Sequence, residues 1–387
     1  MLVVVGPRSS GRITGLSIAI DTLCEGLKER GIAFSVIDLN FGGAPARSGA
    51  FSVRRLLSTI VSIARFYVSL ARGKVVYIPI APTLLGFARD ALMIWGASLL
   101  GRRILLHFHG GGYRLFFDSL SWPIQRVVKA TLRRAGSIIV LADKMRADFS
   151  FVDSTSTRIE VVPNGLSISS VGSRNVTAKQ FRGEPIRILY LSNMIESKGY
   201  LDVLEACRLL RDNYRIPFYC TFCGEFIRTV VDRSDGPEDY AEARFRNMIS
   251  STGLDNLVSY LGSVRGETKW KMLSEADLFV LPSYYPWEGQ PISIIEALAF
   301  GLPVIATRYR GIPDLVVHGY NGILVERQSP EQIAYAIADL YQDPAKWTEF
   351  STNGYRHYEQ GFTREAHLAK LIPAILGHPA VPEMRAS

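Results

Sequence analysis

Glu288 and Glu296 stand in the stretch PSYYPWEGQPISIIEALAFGLPVIATRYRGIPDLV, from Pro282 to Val316. A short apolar run, Leu278 to Leu281, reads as a buried strand feeding a turn-rich loop. Pro291 suits the first turn of a helix and Gly301 its end. Pro303 to Ala306 then reads as a second buried parallel strand, so the unit closes as strand, loop, helix, strand. Glu288 falls in the loop and Glu296 in the second helical turn, so they are not a surface pair one turn apart. A helix N-terminus offers free N–H groups and partial positive charge, which suit a diphosphate. A carboxylate toward each end of such a ligand could accept hydrogen bonds from sugar hydroxyls. The competing reading is a solvated helix face, where most glutamates lie. The loop Trp287-Glu288-Gly289-Gln290-Pro291 weighs against it, because it follows a buried strand at the place where open α/β sheets bind ligands.

A second cluster is Leu105-Leu106-His107-Phe108-His109-Gly110-Gly111-Gly112, a strand end running into three glycines. Histidine at the carboxyl end of a parallel strand sits where function collects. His109 is the candidate for chemistry, His107 is expected on the other face of the strand in a structural role, Gly110 permits close backbone approach, and Arg114 is an acceptor or phosphate candidate. Near the start, Gly6-Pro-Arg-Ser-Ser-Gly11-Arg12-Ile13-Thr14-Gly15 approaches a phosphate loop, but Arg12 stands for its lysine and Ile13 for its metal-binding hydroxyl. That excludes a nucleotide-hydrolysing loop. Gly11, Arg12 and Gly15 remain candidates for a backbone that must approach a ligand.

The elements that position these residues alternate. Residues 2–5, 33–38, 75–80, 103–108 and 137–141 read as strands, and 15–30, 52–72, 84–100 and 121–135 as helices, which predicts a parallel doubly wound sheet. A second such set begins with the strand Ile186 to Leu191 and ends in helices at about 330–342, 344–358 and 363–376. The expected organisation is an N-terminal Rossmann-like domain at 1–170, a linker at 171–184, a second Rossmann-like domain at 185–355, and a closing segment at 356–387. Residues 167–184, rich in Ser, Gly and Arg without apolar period, carry the linker expectation.

Composition sets the bounds. Hydrophobic residues at 48% and charged residues at 21% describe a globular chain. Arg65 and the Arg102-Arg103 pair interrupt the two most apolar helical runs, so a spanning helix is not expected. The chain starts as a strand, without the basic and small-residue signature of a secretory signal. Cys24, Cys207, Cys220 and Cys223 are too few and scattered for a disulfide framework; together these features favour a cytoplasmic protein. Residues 1–180 carry 23 Lys and Arg against 10 Asp and Glu, net +13, and the remainder 21 against 26, net −5. The basic first half suggests an anionic partner, a membrane surface or a nucleic acid. The helix at 52–72, with Arg54, Arg55, Arg65, Arg72 and Lys74 among apolar residues, reads either as a core helix with a solvated face or as an interfacial helix on anionic lipid.

The Glu288–Glu296 segment, followed by EALAFGLPVIAT and GIPDLV, resembles glycosyltransferase family 4, retaining enzymes of the GT-B fold with two Rossmann-like domains facing across a cleft. The resemblance implies that Glu288 meets the donor sugar and Glu296 the ribose of a nucleoside-diphosphate sugar, and that His109 contacts the sugar from the first domain. It places Gly289, Gln290, Pro291 and Ile292 on the donor side. Ser192-Asn193-Met194-Ile195-Glu196-Ser197-Lys198-Gly199 is similar to the family's Gly-Arg-Leu-x-x-x-Lys-Gly: Lys198 and Gly199 match, whereas Asn193 stands where an arginine is expected. Cys223-Gly224-Glu225 resembles the glycine turn lining the base and phosphate side, Ser263-Val264-Arg265 the flank of the base, and Pro163-Asn164-Gly165 the end of the first domain. In the family the glycine loop with Gly11, Arg12 and Gly15 borders the cleft, and the last helix returns to the first domain.

The implied function is a hexosyl transfer from a nucleotide sugar to a glycan or lipid-linked acceptor, in cell-surface polysaccharide or lipopolysaccharide synthesis. No cofactor is expected beyond the nucleotide sugar as co-substrate. No Asp-x-Asp occurs in the chain, which disfavours a metal-bridged diphosphate. The expected location is cytoplasmic or peripheral on the inner face of the cytoplasmic membrane. The alternatives are a sugar-nucleotide epimerase or glycan phosphorylase of the same architecture and, more remotely, a basic nucleic-acid-binding protein, which lacks aromatic residues interleaved with its basic ones.

Overall fold

The computed structural model describes residues 1–9, 14–39, 53–152, 155, 157–166, 179–227 and 238–377. The chain divides into two units, one of Met1–Asn164 with Arg364–Ser387, the other of Gly165–Thr363.

The first unit runs β1 (Leu2–Gly6), α1 (Gly15–Glu29), β2 (Phe34–Asp38), α2 (Val53–Leu70), β3 (Val75–Pro79), α3 (Leu84–Leu99), β4 (Arg103–Phe108), α4 (Tyr113–Asp118), α5 (Trp122–Leu132), β5 (Ser137–Val140) and β6 (Arg158–Val161). All strands are parallel in the order β2-β1-β3-β4-β5-β6. Val3, Val4, Val5, Ile104, Leu105 and Leu106 are buried on both sheet faces, the signature of a strand covered by helices twice. Right-handed crossovers explain the coverage. The chain steps one way from β1 to β2 and the other way from there on, so α1 lies on one face and α2, α3 and α5 on the other. The face of α1 is completed by the chain's last helix, Arg364–Leu376, whose Leu368, Leu371, Ile372 and Ile375 join Leu2, Val4, Ile20, Leu23 and Leu27 in one cluster. The helix expected over 121–135 is instead preceded by α4, and Ser121 opens the shorter α5 with Pro123 in its first turn.

The second unit runs β7 (Ile186–Leu191), α6 (Tyr200–Leu209), β8 (Phe218–Cys223), α7 (Glu238–Ser251), β9 (Val258–Tyr260), α8 (Gly266–Glu275), β10 (Leu278–Leu281), α9 (Ile292–Ala299), β11 (Val304–Thr307), β12 (Gly322–Val325), α10 (Pro330–Gln342) and α11 (Pro344–Gly361); the closing helix of the first unit is α12. Its parallel order is β12-β11-β10-β7-β8-β9. Read from β9, this is the doubly wound order of dinucleotide-binding sheets, and the direction of travel reverses between β7 and β10. The four buried cysteines are all free thiols.

Two boundaries differ from expectation. The segment from Lys179 is fixed to the second unit rather than linking: Lys179 N–H donates to Ser351 Oγ at 2.8 Å, and its ammonium caps α8 through Leu273 O at 2.8 Å, Ser274 O at 3.0 Å and Ala276 O at 2.8 Å. A cation is favoured at a helix C-terminus, and Phe181 packs on Trp347 beside it. The return to the first unit falls at Thr363–Arg364 rather than at 356, because α11 buries Trp347, Phe350 and Tyr358 in the second core. Among the described residues, no helix is long and apolar enough to cross a membrane.

Candidate functional site

In the second unit the loops after β7 and β10 meet at the reversal of the sheet. Ile195 leads into one helical turn, Glu196–Lys198, and Gly199 then takes φ +79° before α6. A Cβ on Gly199 would lie 2.6 Å from Pro282 O, so two physical demands, left-handed backbone and a close neighbour, select glycine there. Tyr284 N–H donates to Ser197 O at 2.7 Å and ties the loops together.

This contact brings Lys198 to Glu288. The Lys198 ammonium lies 3.5 Å from Glu288 Oε2, and the Ser283 hydroxyl donates to the same oxygen at 2.7 Å. Ser283 is itself held, with Tyr285 N–H donating to its Oγ at 3.3 Å and the Thr307 hydroxyl donating to its carbonyl. Glu288 is buried, so its carboxylate is fixed by paired donors rather than by water. Gly289 and Gln290 carry the chain to Pro291, which is the N-cap of α9 rather than a residue of its first turn; Ile292 opens the helix.

Glu296 lies inside α9 and is buried, not on a solvated face. Lys269 of α8 donates to its Oε1 at 2.6 Å. Burial raises the carboxyl pKa of Glu296, and the Lys269 charge and hydrogen bond oppose that rise. The two acids therefore occupy separate ion pairs, Glu288 with Lys198 and Glu296 with Lys269. Gly224 follows β8 where a Cβ would collide with Ser192 O, so β7 and β8 end in close contact. Asn193 is exposed beside it, and Glu225 offers its backbone carbonyl to Met194 N–H at 2.8 Å. Tyr260 Oη donates to Gly224 O at 2.9 Å, and Gly262 O accepts from Gly224 N–H at 2.8 Å, which places the 262–265 loop next to the glycine turn.

In the first unit β4 ends in a stacked histidine pair. The His107 and His109 rings lie 3.7 Å apart, tilted by 28°. His107 thus shares the face of His109, contrary to the expectation of opposite faces, because alternate residues of a strand point the same way. Tyr77 Oη on β3 bridges them, 2.6 Å from His107 Nδ1 and 3.1 Å from His109 Nε2. Burial drives the pKa of both imidazoles down, with the neighbouring His367 adding to the effect, and burial also lowers His367. His367 Nδ1 lies 2.6 Å from Pro163 O. The cluster is neutral at ordinary pH, and His109, which is only half-buried, is its outermost member.

Gly110 follows His109 at the start of the glycine run, and Gly112 N–H donates to the buried Asp148 at 2.8 Å. Arg114 is exposed and held in an ion pair with Asp118, Nε to Oδ2 2.8 Å. Gly15 is the first residue of α1 behind the capping box of Thr14 and Ser17. Gly11 and Arg12 lie outside the described residues. Sequence reasoning missed Ser283, Lys269, Tyr77 and His367. Only Ser283, inside the loop already singled out, carried a local signal.

Two parallel six-stranded doubly wound units define an α/β protein of the GT-B fold, and similarity to solved structures supports that: the HepE protein of Anabaena, crystallised with UDP, aligns over 97% of this chain and 99% of its own with a TM-score of 0.71 at 18% identity. Residues 174–357 match the model of glycosyl transferases group 1 and residues 13–170 that of Glycosyltransferase Family 4, so the chain belongs to this glycosyltransferase family. It is 28% identical over 263 residues to the amylovoran biosynthesis glycosyltransferase AmsK of Erwinia amylovora, covering 66% of this chain and 56% of that protein. To the GDP-mannose-dependent alpha-(1-6)-phosphatidylinositol monomannoside mannosyltransferase of Mycolicibacterium smegmatis it is 26% identical over 289 residues, 70% of each chain. The chain spans less than two thirds of the length of the first curated relatives it matches.

Proposed function

We propose that this protein is a retaining glycosyltransferase that moves a hexose from a nucleoside-diphosphate sugar to a glycan or lipid-linked acceptor, in the assembly of a surface polysaccharide. The observation that carries this reading is the Lys198–Glu288–Ser283 cluster at the sheet reversal, just ahead of the N-terminus of α9. Lys198 and the free N–H groups of α9 take the charge that develops on the departing diphosphate. Glu288 orients donor hydroxyls, and Glu296, paired with Lys269, accepts from the ribose. The bond between the anomeric carbon and the diphosphate oxygen breaks, the acceptor oxygen bonds to that carbon, and the acceptor's proton leaves with the nucleoside diphosphate or to solvent.

With Lys198 assigned to the diphosphate and no Asp-x-Asp in the chain, we infer a reaction that runs without metal. The relatives' names support a polysaccharide or lipid-linked acceptor, and they divide over the nucleotide: HepE was crystallised with UDP, and the mycobacterial relative is named for GDP-mannose.

The test is thermal unfolding of the wild type and Glu296→Ala with UDP, GDP, ADP and their sugar conjugates in the presence of chelator. A ligand at about 100 times its Kd stabilises by about 2.7 kcal/mol, well within detection. One nucleotide should shift the wild type and not the variant, and NMR of the product should show the donor's anomeric configuration. If no nucleotide shifts either protein, the donor assignment fails.

A further inference from the structure

The outward side of α2, α3 and α5 breaks the usual rule for helices covering a sheet. The inward side of α2 is ordinary, with Ser62, Phe66 and Leu70 buried. On the opposite side, where polar residues are expected, Leu57, Val61, Ala64 and Val68 recur at i, i+4, i+7 and i+11, with Ile60 beside them. Val68 is 76% exposed and Leu57 58%. On α3, Leu85, Leu92 and Leu99 repeat every seventh residue, 74%, 56% and 78% exposed. The two helices are joined by Tyr67, whose hydroxyl donates to Leu92 O at 2.9 Å. α3 is joined to α5 by Trp95 Nε1–H donating to Thr131 Oγ1 at 2.9 Å. α5 adds Trp122 at 63% exposure, with Arg126 at 4.1 Å over its ring. The three stripes thus belong to neighbouring helices on one face of one sheet.

Charge on this face has a single sign. Residues 53–70 and 122–132 contain no Asp or Glu. The one acid of α3, Asp90, is buried and held by Arg89 at 2.7 Å and by Ala81 N–H at 3.0 Å. Arg65, Arg72, Lys74, Arg126 and Arg133 are exposed on these helices or at their ends. An isologous contact with a second copy would set this cationic face against itself, without a carboxylate to neutralise it. Stripes of Leu, Val and Ile offer little on which nucleic-acid bases could stack. Apolar side chains flanked by guanidinium and ammonium groups match the boundary between acyl chains and anionic headgroups.

We propose that the outer face of α2, α3 and α5 docks on an anionic phospholipid surface. The inference goes beyond sugar transfer and stands independently of it, since none of these residues belongs to the nucleotide or histidine clusters. The test is flotation of the whole protein with vesicles of phosphatidylcholine alone and of phosphatidylcholine mixed with phosphatidylglycerol. Binding is expected on the mixed vesicles and should weaken with salt, which screens exposed charge. Arg65→Gln and Arg72→Gln should each lower the partition coefficient about five-fold, equivalent to about 1 kcal/mol per charge. Val61→Ser combined with Val68→Ser should lower it at least about ten-fold. Nucleotide-induced thermal shifts should stay unchanged in every variant, which separates loss of docking from loss of fold. No flotation, equal flotation with both vesicle types, or flotation insensitive to these substitutions overturns the proposal. So does a dimer in light scattering that the Val61→Ser, Val68→Ser variant dissolves, because that face would then belong to a second copy.

Discussion

The two units solve the same folding problem with similar sheets and place opposite chemistry at the carboxyl ends of their strands. In the second unit the loops after β7 and β10 hold the Lys198–Glu288 ion pair, and α8 and α9 hold the Lys269–Glu296 pair, all on buried or half-buried side chains. In the first unit the corresponding end of β4 holds two stacked imidazoles and a tyrosine that burial keeps uncharged, while the exposed cations described above sit on the helices instead. The difference shows that fold sets where a site can be, and the side chains brought there decide whether it handles charge. A buried ion pair costs desolvation and must be matched group by group, whereas a neutral cluster needs only hydrogen-bond satisfaction.

The comparison breaks most visibly at Glu288. Glu288→Gln keeps the shape and removes the charge opposite Lys198, and should cut kcat by roughly 100- to 1,000-fold, about 3–4 kcal/mol. Steady-state assay with the cognate donor measures this, and a variant within a few-fold of wild type would remove Glu288 from the reaction. Next in size is Gly199→Ala. The strain of φ +79° and the 2.6 Å approach to Pro282 O should destabilise the second unit by about 2–3 kcal/mol in urea unfolding. A neutral outcome would mean that the two loops can part.

The Lys269–Glu296 pair sharpens the contrast further. Lys269→Met leaves a buried carboxylate alone and should cost about 2 kcal/mol, discounted because Lys269 is partly exposed, and Glu296→Gln in the same chain should restore most of it. Additive losses in that double-mutant cycle would show that the pair is not coupled.

The smallest effect belongs to the neutral cluster. His107, His109 and His367 all have folded pKa values lowered by burial, below the value of about 6.5 for free histidine. As pH falls through 6.5 the unfolded chain takes up protons that the folded chain refuses, so stability is complete above that pH and declines below it. The slope is at most about 1.4 kcal/mol per pH unit for each histidine. His107→Phe should remove one such contribution from the slope in melting curves taken at several pH values, whatever it does to the absolute Tm. An identical slope in the variant would mean that His107 is protonated in the fold.

Much of this was legible in the sequence for a physical reason. Parallel strands covered on both faces read as continuous apolar runs, so β1, β4, β7 and β10 stood out, and proline and glycine marked the ends of α9. The loop residues Glu288, Lys198 and Gly199 were legible through spacing and resemblance. What was not legible is what long-range contact decides. Lys269 is paired with Glu296 only because α8 packs beside α9, and Tyr77 reaches the histidines only because β3 and β4 are neighbours. His367 lies far along the chain, on the helix that returns. The placement of His107 was available from the two-residue period of a strand, and that rule outweighs the distinction drawn between the two histidines.

The returning helix also bears on the order in which the molecule can be completed. Residues 1–164 emerge first during synthesis, yet α12 supplies Leu368, Leu371, Ile372 and Ile375 to their core, and Gly26 lacks a side chain where Leu368 enters, 2.6 Å from the position a Cβ would take. The second unit has all of its strands and its own core by Thr363, whereas the first still has one sheet face partly open at that point. The unit begun first is closed last. A nascent chain stalled before Arg364 would therefore carry a finished second unit attached to a first unit whose apolar sheet is still accessible to chaperones.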